Sequence, residues 1–173
     1  MSEGTKNRAF SLVELLVVLT IITILAGLLM SALQVARTKA LEISAINDVR
    51  QLALGIAMHK QSRPTLPASS ADAAEEDVDA LLQALGGSAS GIRLDPWGNE
   101  YVYIRSDRYG DPGAVCIKDK NGEPYNPDTF QLYSKGADGR RDPNASDKSN
   151  ADNIWVDVTR GRIVRFSAIQ EGS

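Results

Sequence analysis

The chain has 173 residues, a formal net charge of −3 and a single cysteine, Cys116. This length allows one modest globular domain beyond a long helix. The mildly acidic balance, without a basic cluster, argues against nucleic acid as a partner, and a single cysteine excludes an intrachain disulfide.

The first predicted element is an apolar helix over residues 10–33, which contains only one charged residue, Glu14. At about 1.5 Å per residue, a helix of this length crosses about 30 Å of hydrocarbon. Lys6 and Arg8 precede the helix, and cationic residues beside a first apolar segment keep that end in the cytoplasm. The rest of the chain is therefore predicted to lie outside the cytoplasmic membrane.

The carboxylate of Glu14 is costly within an apolar segment, by roughly 2.5–3.5 kcal/mol if it lies deep, and such a group usually has a partner of opposite charge. Cleavage between Ala9 and Phe10 would leave a free α-amine one helical turn from Glu14. The two charges would then pair within one chain or between neighbouring chains. The simpler alternative is a plain signal anchor with an incidental carboxylate.

After the membrane segment, apolar residues recur at spacings of three and four, which predicts an amphipathic continuation of the helix over residues 34–61. The predicted apolar face consists of Leu33, Ala36, Ala40, Ile43, Ile46, Val49, Ala53 and Ile56. A polar connector at 62–77 follows, and Asp72–Leu85 is predicted to form a short helix that ends at Gly86 and Gly87.

The remaining sequence predicts short strands separated by turns at 95–99, 119–122 and 159–161. The predicted strands are Tyr101–Arg105, Ala114–Lys118, Phe130–Ser134, Ile154–Val158 and Arg162–Ser167. The fold class is therefore α+β, with a long N-terminal helix packed on a small antiparallel sheet domain.

The segment from Ser134 to Ile154 is rich in Asp, Asn and Ser. Oxygen ligands at this density suit a hard cation such as Ca²⁺, and the alternative is a solvated flexible loop. No Ser-His-Asp, Cys-His or paired-carboxylate arrangement can be identified in the sequence. The chain is therefore predicted not to be an enzyme.

The sequence KNRAFSLVELL at 6–16 resembles the N-terminal signature of type IV pilins and pseudopilins. In that family a prepilin peptidase removes a short basic leader, and the apolar helix packs into a filament core. The resemblance implies cleavage between Ala9 and Phe10, N-methylation of Phe10 and a role for Glu14 in assembly. The family usually has Gly at the position of Ala9.

The sequences DPWGNEY at 95–101 and FQLYSKGADG at 130–139 resemble the major, G-type pseudopilins of type II secretion. The resemblance implies a calcium loop at 134–154. Its implied ligands are the backbone carbonyls of Lys135 and Asn150 and the side chains of Asp138, Asp152 and Asn153. Asn153 stands where the family usually has Asp. The loop is longer than usual, so Asp142 and Asp147 are alternative ligands, and the resemblance does not account for the last strand.

The resemblance implies a structural subunit that polymerises with sister subunits and drives export of folded proteins across the outer membrane. The implied partners are minor pseudopilins, an inner-membrane assembly platform and the prepilin peptidase. The leader would comprise residues 1–9, the helix would cross the inner membrane once, and residues 62–173 would lie in the periplasm. The alternatives are another pilin-like filament subunit, for adhesion or DNA uptake, and a membrane-anchored calcium-binding module that does not polymerise.

Overall fold

The structure is a computed structural model that describes residues 11–67, 78–86, 91–111, 116–119, 121–143, 148–158 and 161–166. The described helices are α1 (Leu12–Ser62) and α2 (Val78–Leu85), with short 3-10 helices at Ser106–Arg108 and Lys148–Asn150. The described strands are β1 (Val102–Arg105), β2 (Phe130–Ser134), β3 (Ile154–Asp157) and β4 (Arg162–Arg165). The chain divides into two compact units, Met1–Ala40 and Leu41–Ser173.

In the first unit, α1 exposes its large apolar side chains, with Leu12 84% and Leu28 68% exposed. By length and composition, α1 is long and apolar enough to cross a membrane. The threonine hydroxyl groups are hydrogen-bonded to the backbone of the same helix. Thr20 Oγ1 donates to the carbonyl of Leu16 at 2.8 Å, and Thr23 Oγ1 donates to that of Leu19 at 3.0 Å. The hydroxyl groups therefore add little polarity to the helix surface.

In the second unit, the buried face of α1 matches the predicted one in part, since Val49 and Ile56 are buried and Ile46 and Ala53 pack partly buried against the core. The buried side chains are Ala45, Val49, Leu52 and Ile56, which follow the helical period of 3.6 residues. Ile43 was predicted on this face but is 57% exposed. At about 100° per residue, Ile43 lies almost opposite Ala45, so the spacing rule assigned it to the wrong side of the helix.

Helix α2 packs on the same region of α1. Its buried side chains are Val78, Leu81 and Leu82, and it ends before Gly86, as predicted. A Cβ atom on Gly55 would lie 2.9 Å from Cδ1 of Leu85, so this glycine allows the two helices to approach closely. The predicted start of this helix, at 72–77, lies outside the described residues.

The sheet has the order β1-β2-β3-β4, and each neighbouring pair is antiparallel. One face, which includes Leu132, Ile154 and Val156, forms a core with α1 and α2. The other face carries Tyr133 and Trp155, which pack with residues from loops. Because both faces are covered, every residue of the central strand β2 is buried. The prediction of a small antiparallel sheet against a long helix is confirmed.

The predicted strand Ala114–Lys118 is wrong for the part that the structure describes. Lys118 forms only an isolated bridge with Pro124, and proline has no N–H to extend a ladder. The N–H of Ile117 donates to Oε1 of the buried Gln131, and its carbonyl accepts from Nε2 of Gln131, each at 2.8 Å, and from the N–H of Tyr125 at 3.1 Å. Residues 112–115 lie outside the described part.

The last strand, which the resemblance did not explain, is the edge strand β4. Arg165 in β4 forms an ion pair with Glu42 of α1 at 3.1 Å. Phe166 follows β4, is fully buried, and meets Trp155 and Tyr125 in edge-to-face contacts with ring centroids 5.4 Å apart. The strand therefore forms one edge of the sheet, and Phe166 after it completes the apolar cluster with Tyr133 and Trp155 on the second face.

Candidate functional site

The first candidate site is the start of α1, where Glu14 has a local partner. The N–H of Ser11 donates to Oε2 of Glu14 at 3.0 Å, and Oγ of Ser11 accepts from the N–H of Val13 at 3.3 Å. This arrangement is a capping box in which the hydroxyl accepts from the second helical residue, Val13, and not from the third. It was not predicted from the sequence, although Ser-x-x-Glu before an apolar helix is its usual signature. Ala9 and Phe10 lie outside the described residues.

The second candidate site is the polar loop between β2 and β3. Its first turn, 136–139, is held by one oxygen of Asp152. The N–H groups of Ala137 and Asp138 donate to Oδ2 of Asp152 at 2.7 and 3.2 Å. The carboxylate of Asp138 stabilises the same turn, because its Oδ1 accepts from the N–H of Arg140 at 2.8 Å. The structure thus brings together the predicted ligand residues Asp138 and Asp152.

The end of the loop is organised by two asparagines. Oδ1 of Asn150 accepts from the N–H of Asp142 at 3.0 Å, and Nδ2 of Asn150 donates to the carbonyl of Asp142 at 2.9 Å. These bonds fix the orientation of the Asn150 amide. Nδ2 of Asn153 donates to the same Oδ1 at 3.1 Å, so Oδ1 of Asn153 must face away from Asn150.

Oδ1 of Asn153 is a buried oxygen without a hydrogen-bond partner in the described part of the chain. A buried amide oxygen with no donor costs free energy, and oxygen is the ligand that Ca²⁺ prefers. No group of three His, Cys, Asp or Glu side chains converges among the described residues, so the candidate ligands are instead carboxylates, amides and carbonyls. The alternative ligand Asp147 lies outside the described residues, whereas Asp142 anchors Asn150 through its backbone.

The turn at 95–99 supports this loop, a role that the sequence analysis did not assign to it. Asp95 is 4% exposed, and its Oδ1 accepts from the N–H groups of Trp97 and Asn99 at 3.1 and 2.8 Å. Oγ of Ser134 donates to Oδ2 of Asp95 at 2.6 Å and accepts from the N–H of Gly136 at 3.0 Å. Nδ2 of Asn99 donates to the carbonyl of Gly136 at 2.9 Å.

Tyr101, which follows this turn, joins it to α1. Its hydroxyl donates to Oδ2 of Asp48 at 3.0 Å. Burial, together with the negative charges of Asp48 and Asp95, raises the pKa of Tyr101 far above its ordinary value. The hydroxyl therefore stays protonated and keeps donating to Asp48 at physiological pH.

The described residues that could act as nucleophiles or bases are used structurally. Cys116 is 1% exposed, and burial raises the pKa of its thiol, which disfavours the reactive thiolate. Nδ1 of His59 lies 3.3 Å from the carbonyl oxygen of Ala84 and connects α1 with α2.

Residues 4–30 match the family model described as the prokaryotic N-terminal methylation motif. The type II secretion system core protein G of Escherichia coli K12 is 29% identical over 121 residues, which cover 64% of this chain and 80% of that protein. The protein of the same name from Pseudomonas aeruginosa is 26% identical over 161 residues, or 86% and 97% of the two chains. That of Vibrio cholerae is 26% identical over 149 residues, or 80% and 88%. No solved structure matches the chain.

Proposed function

Because the chain belongs to the family of the type II secretion system core protein G, the G-type pseudopilins, we propose that it polymerises into a type II secretion pseudopilus. The observation that carries this proposal is the exposed apolar surface of α1 within the segment that matches the methylation motif. Such a surface needs lipid or other helices around it. The chain is a structural protein and not an enzyme, in keeping with this family.

In this proposal, residues 10–33 cross the inner membrane once and residues 62–173 lie in the periplasm. A prepilin peptidase cleaves between Ala9 and Phe10 and methylates the new amine of Phe10. Minor pseudopilins and an inner-membrane assembly platform act with the filament, and its growth drives folded proteins across the outer membrane. The cationic residues Lys6 and Arg8 support this orientation.

The capping box favours a second candidate, a membrane-anchored module that does not polymerise. If Glu14 serves only to cap α1, its charge needs no partner in another subunit. A different filament, such as an adhesive or DNA-uptake pilin, would share the apolar helix. The DPWGN turn bonded to the GADG loop supports the G-type pseudopilin over such a pilin, because the two motifs that carry this resemblance form one unit.

Chemical crosslinking of membranes that contain the chain tests polymerisation. We expect an amine-reactive crosslinker to produce a ladder of bands at integer multiples of the subunit mass. The apolar helices lie side by side in a filament, so each subunit has several neighbours within reach. Dissolving the membranes in excess detergent before crosslinking should remove the ladder. A single monomer band from intact membranes would contradict the filament and favour the anchor.

We also propose that the loop at 134–154 binds calcium. The carboxylates of Asp138 and Asp152, the side-chain oxygen of Asn153 and the carbonyls of Lys135 and Asn150 would hold the ion. The partnerless Oδ1 of Asn153 supports this assignment. Bound calcium would supply positive charge that orders this polar loop, in a chain that has no disulfide to do so.

Calcium should raise the melting temperature of the intact chain in detergent micelles. A ligand at a hundredfold excess over Kd stabilises the folded state by about 2.7 kcal/mol, or roughly 5–10 °C in a domain of this size. Asn153→Asp should melt lower than wild type in chelator, because it buries an unpaired charge beside Oδ1 of Asn150. Calcium should raise the melting temperature of this variant by more than that of wild type, because the added negative charge strengthens calcium binding.

Asn121→Asp is the matched control, since Asn121 is exposed and lies in the separate turn 119–123. It loses the exposed bond from Nδ2 of Asn121 to Oδ2 of Asp119, which affects chelator and calcium conditions alike, so calcium should raise its melting temperature by the same amount as that of wild type. Equal melting of the wild-type chain in calcium and in chelator would rule out the ion, and the filament proposal would stand independently because it rests on α1.

A further inference from the structure

We propose that the turn 95–99 is the positioning element of the calcium loop, with Asn99 and Ser134 as positioning residues that aim the carbonyl of Lys135 at the ion. This inference rests on the proposed calcium site and adds residues that lie outside the ligand set. The turn reaches Gly136 directly through Asn99, and indirectly through Ser134, which bonds to both Asp95 and Gly136.

The peptide between Lys135 and Gly136 is planar and trans, so its N–H and its carbonyl point in opposite directions. Oγ of Ser134 accepts from the N–H of Gly136 at 3.0 Å, and this bond fixes the plane of that peptide. It therefore fixes the direction of the Lys135 carbonyl, which is a proposed ligand. Ser134 is itself fully buried and held by Asp95 at 2.6 Å, so its hydroxyl cannot turn freely.

The next peptide, between Gly136 and Ala137, is held by Asn99, whose Nδ2 donates to the carbonyl of Gly136 at 2.9 Å. The same side chain lies against the other end of the turn, because a Cβ atom on Gly139 would be 2.7 Å from Oδ1 of Asn99. Asn99 thus contacts both glycines of the GADG turn. The peptide before Gly136 is therefore held by Ser134, at the start of the loop, and the peptide after it by Asn99, from outside the loop.

Asn99 is placed by the backbone of its own turn. Oδ1 of Asp95 accepts from the N–H of Asn99 at 2.8 Å, and the N–H of Asp95 donates to the carbonyl of Asn99 at 2.7 Å. A rigid support of this kind lowers the cost of ordering ligands when the ion binds. Groups that orient metal ligands typically contribute about 10–100-fold in metal affinity.

The test is equilibrium dialysis of calcium ions against the intact chain in detergent micelles at 25 °C, with unfolding followed separately. Asn99→Leu keeps the approximate shape of the side chain and removes the donor to Gly136 without adding a charge near the proposed ion. We expect its calcium Kd to rise about tenfold or more, while the protein remains folded at the temperature of the assay. Asn121→Leu, the same change at an exposed residue of the turn 119–123, should leave Kd unchanged.

Ser134→Ala is the second variant, and it should also raise the calcium Kd, because it releases the N–H of Gly136. A merely structural role would lower the melting temperature in chelator without changing Kd in the folded protein. Wild-type Kd in both folded variants would overturn the positioning role and leave the calcium site intact. No calcium binding by the wild-type chain would overturn both proposals.

Discussion

We expect Glu14→Gln to abolish filament assembly while the chain still accumulates in the membrane. Glutamine also serves at the third position of a capping box, so the N–H of Ser11 keeps an acceptor. The variant loses only the negative charge. If that charge pairs with the amine of a neighbouring subunit, its loss leaves an unpaired charge in an apolar interface, at a cost of about 3–5 kcal/mol. Each contact would then weaken more than about a hundredfold.

Ser11→Ala is the matched control, because it removes the Oγ acceptor of the capping box and keeps the charge of Glu14. Loss of a cap costs about 1 kcal/mol, which a long helix tolerates. Crosslinking of intact membranes should give a ladder with Ser11→Ala and only monomer with Glu14→Gln. A ladder with Glu14→Gln and only monomer with Ser11→Ala would show that Glu14 acts as a helix cap, and would rule out a role for its charge in assembly.

The second large effect is expected for Gly136→Ala, which should lower the stability of the second unit by about 3 kcal/mol. Gly136 has φ +69°, a conformation that costs an alanine about 1 kcal/mol or more. The added Cβ would also lie 2.6 Å from Cγ of Asp152 and 2.7 Å from the backbone oxygen of that residue. The backbone oxygen cannot rotate away, so the loop must shift.

Gly122→Ala separates the two causes of this loss of stability, the positive φ and the steric clash of the added Cβ atom. Gly122 has φ +84°, but a Cβ atom there would meet nothing within 4 Å. This control should therefore lose only the conformational part, about 1 kcal/mol. Thermal unfolding of both variants in chelator provides the comparison, and a difference of 2 kcal/mol corresponds to roughly 4–8 °C. Equal losses would mean that the loop relaxes around the new methyl group at no cost.

Local patterns predicted the elements whose causes are local. The apolar run gave α1, and alternating apolar residues gave β2 with the bounds Phe130–Ser134. The turn at 95–99 was also predicted, from its proline and glycine, and Gly98 has the expected positive φ of +93°. The predicted strand 114–118 failed in its described part, 116–118, where the side chain of Gln131 takes the N–H of Ile117 and shares its carbonyl.

The candidate site was predictable in composition but not in arrangement. The Asp and Asn residues of the loop could be identified from the sequence, whereas the bonds of Ser134 with Asp95 and of Asn99 with Gly136 join residues about 40 positions apart in the chain, at separations of 39 and 37. Periodicity and composition contain no information on such pairs. The capping box is different, since its pattern is local and could have been recognised beside the pilin-like signature.

The two edges of the sheet determine whether copies of the chain can associate through their folded domains. Both edge strands, β1 and β4, are four residues long and carry arginines, Arg105 on one and Arg162 and Arg165 on the other. Short, charged edges discourage strand pairing between molecules. If the chain polymerises as proposed, subunits that await incorporation would therefore not aggregate through their sheet edges, and lateral association would be left to the apolar helices.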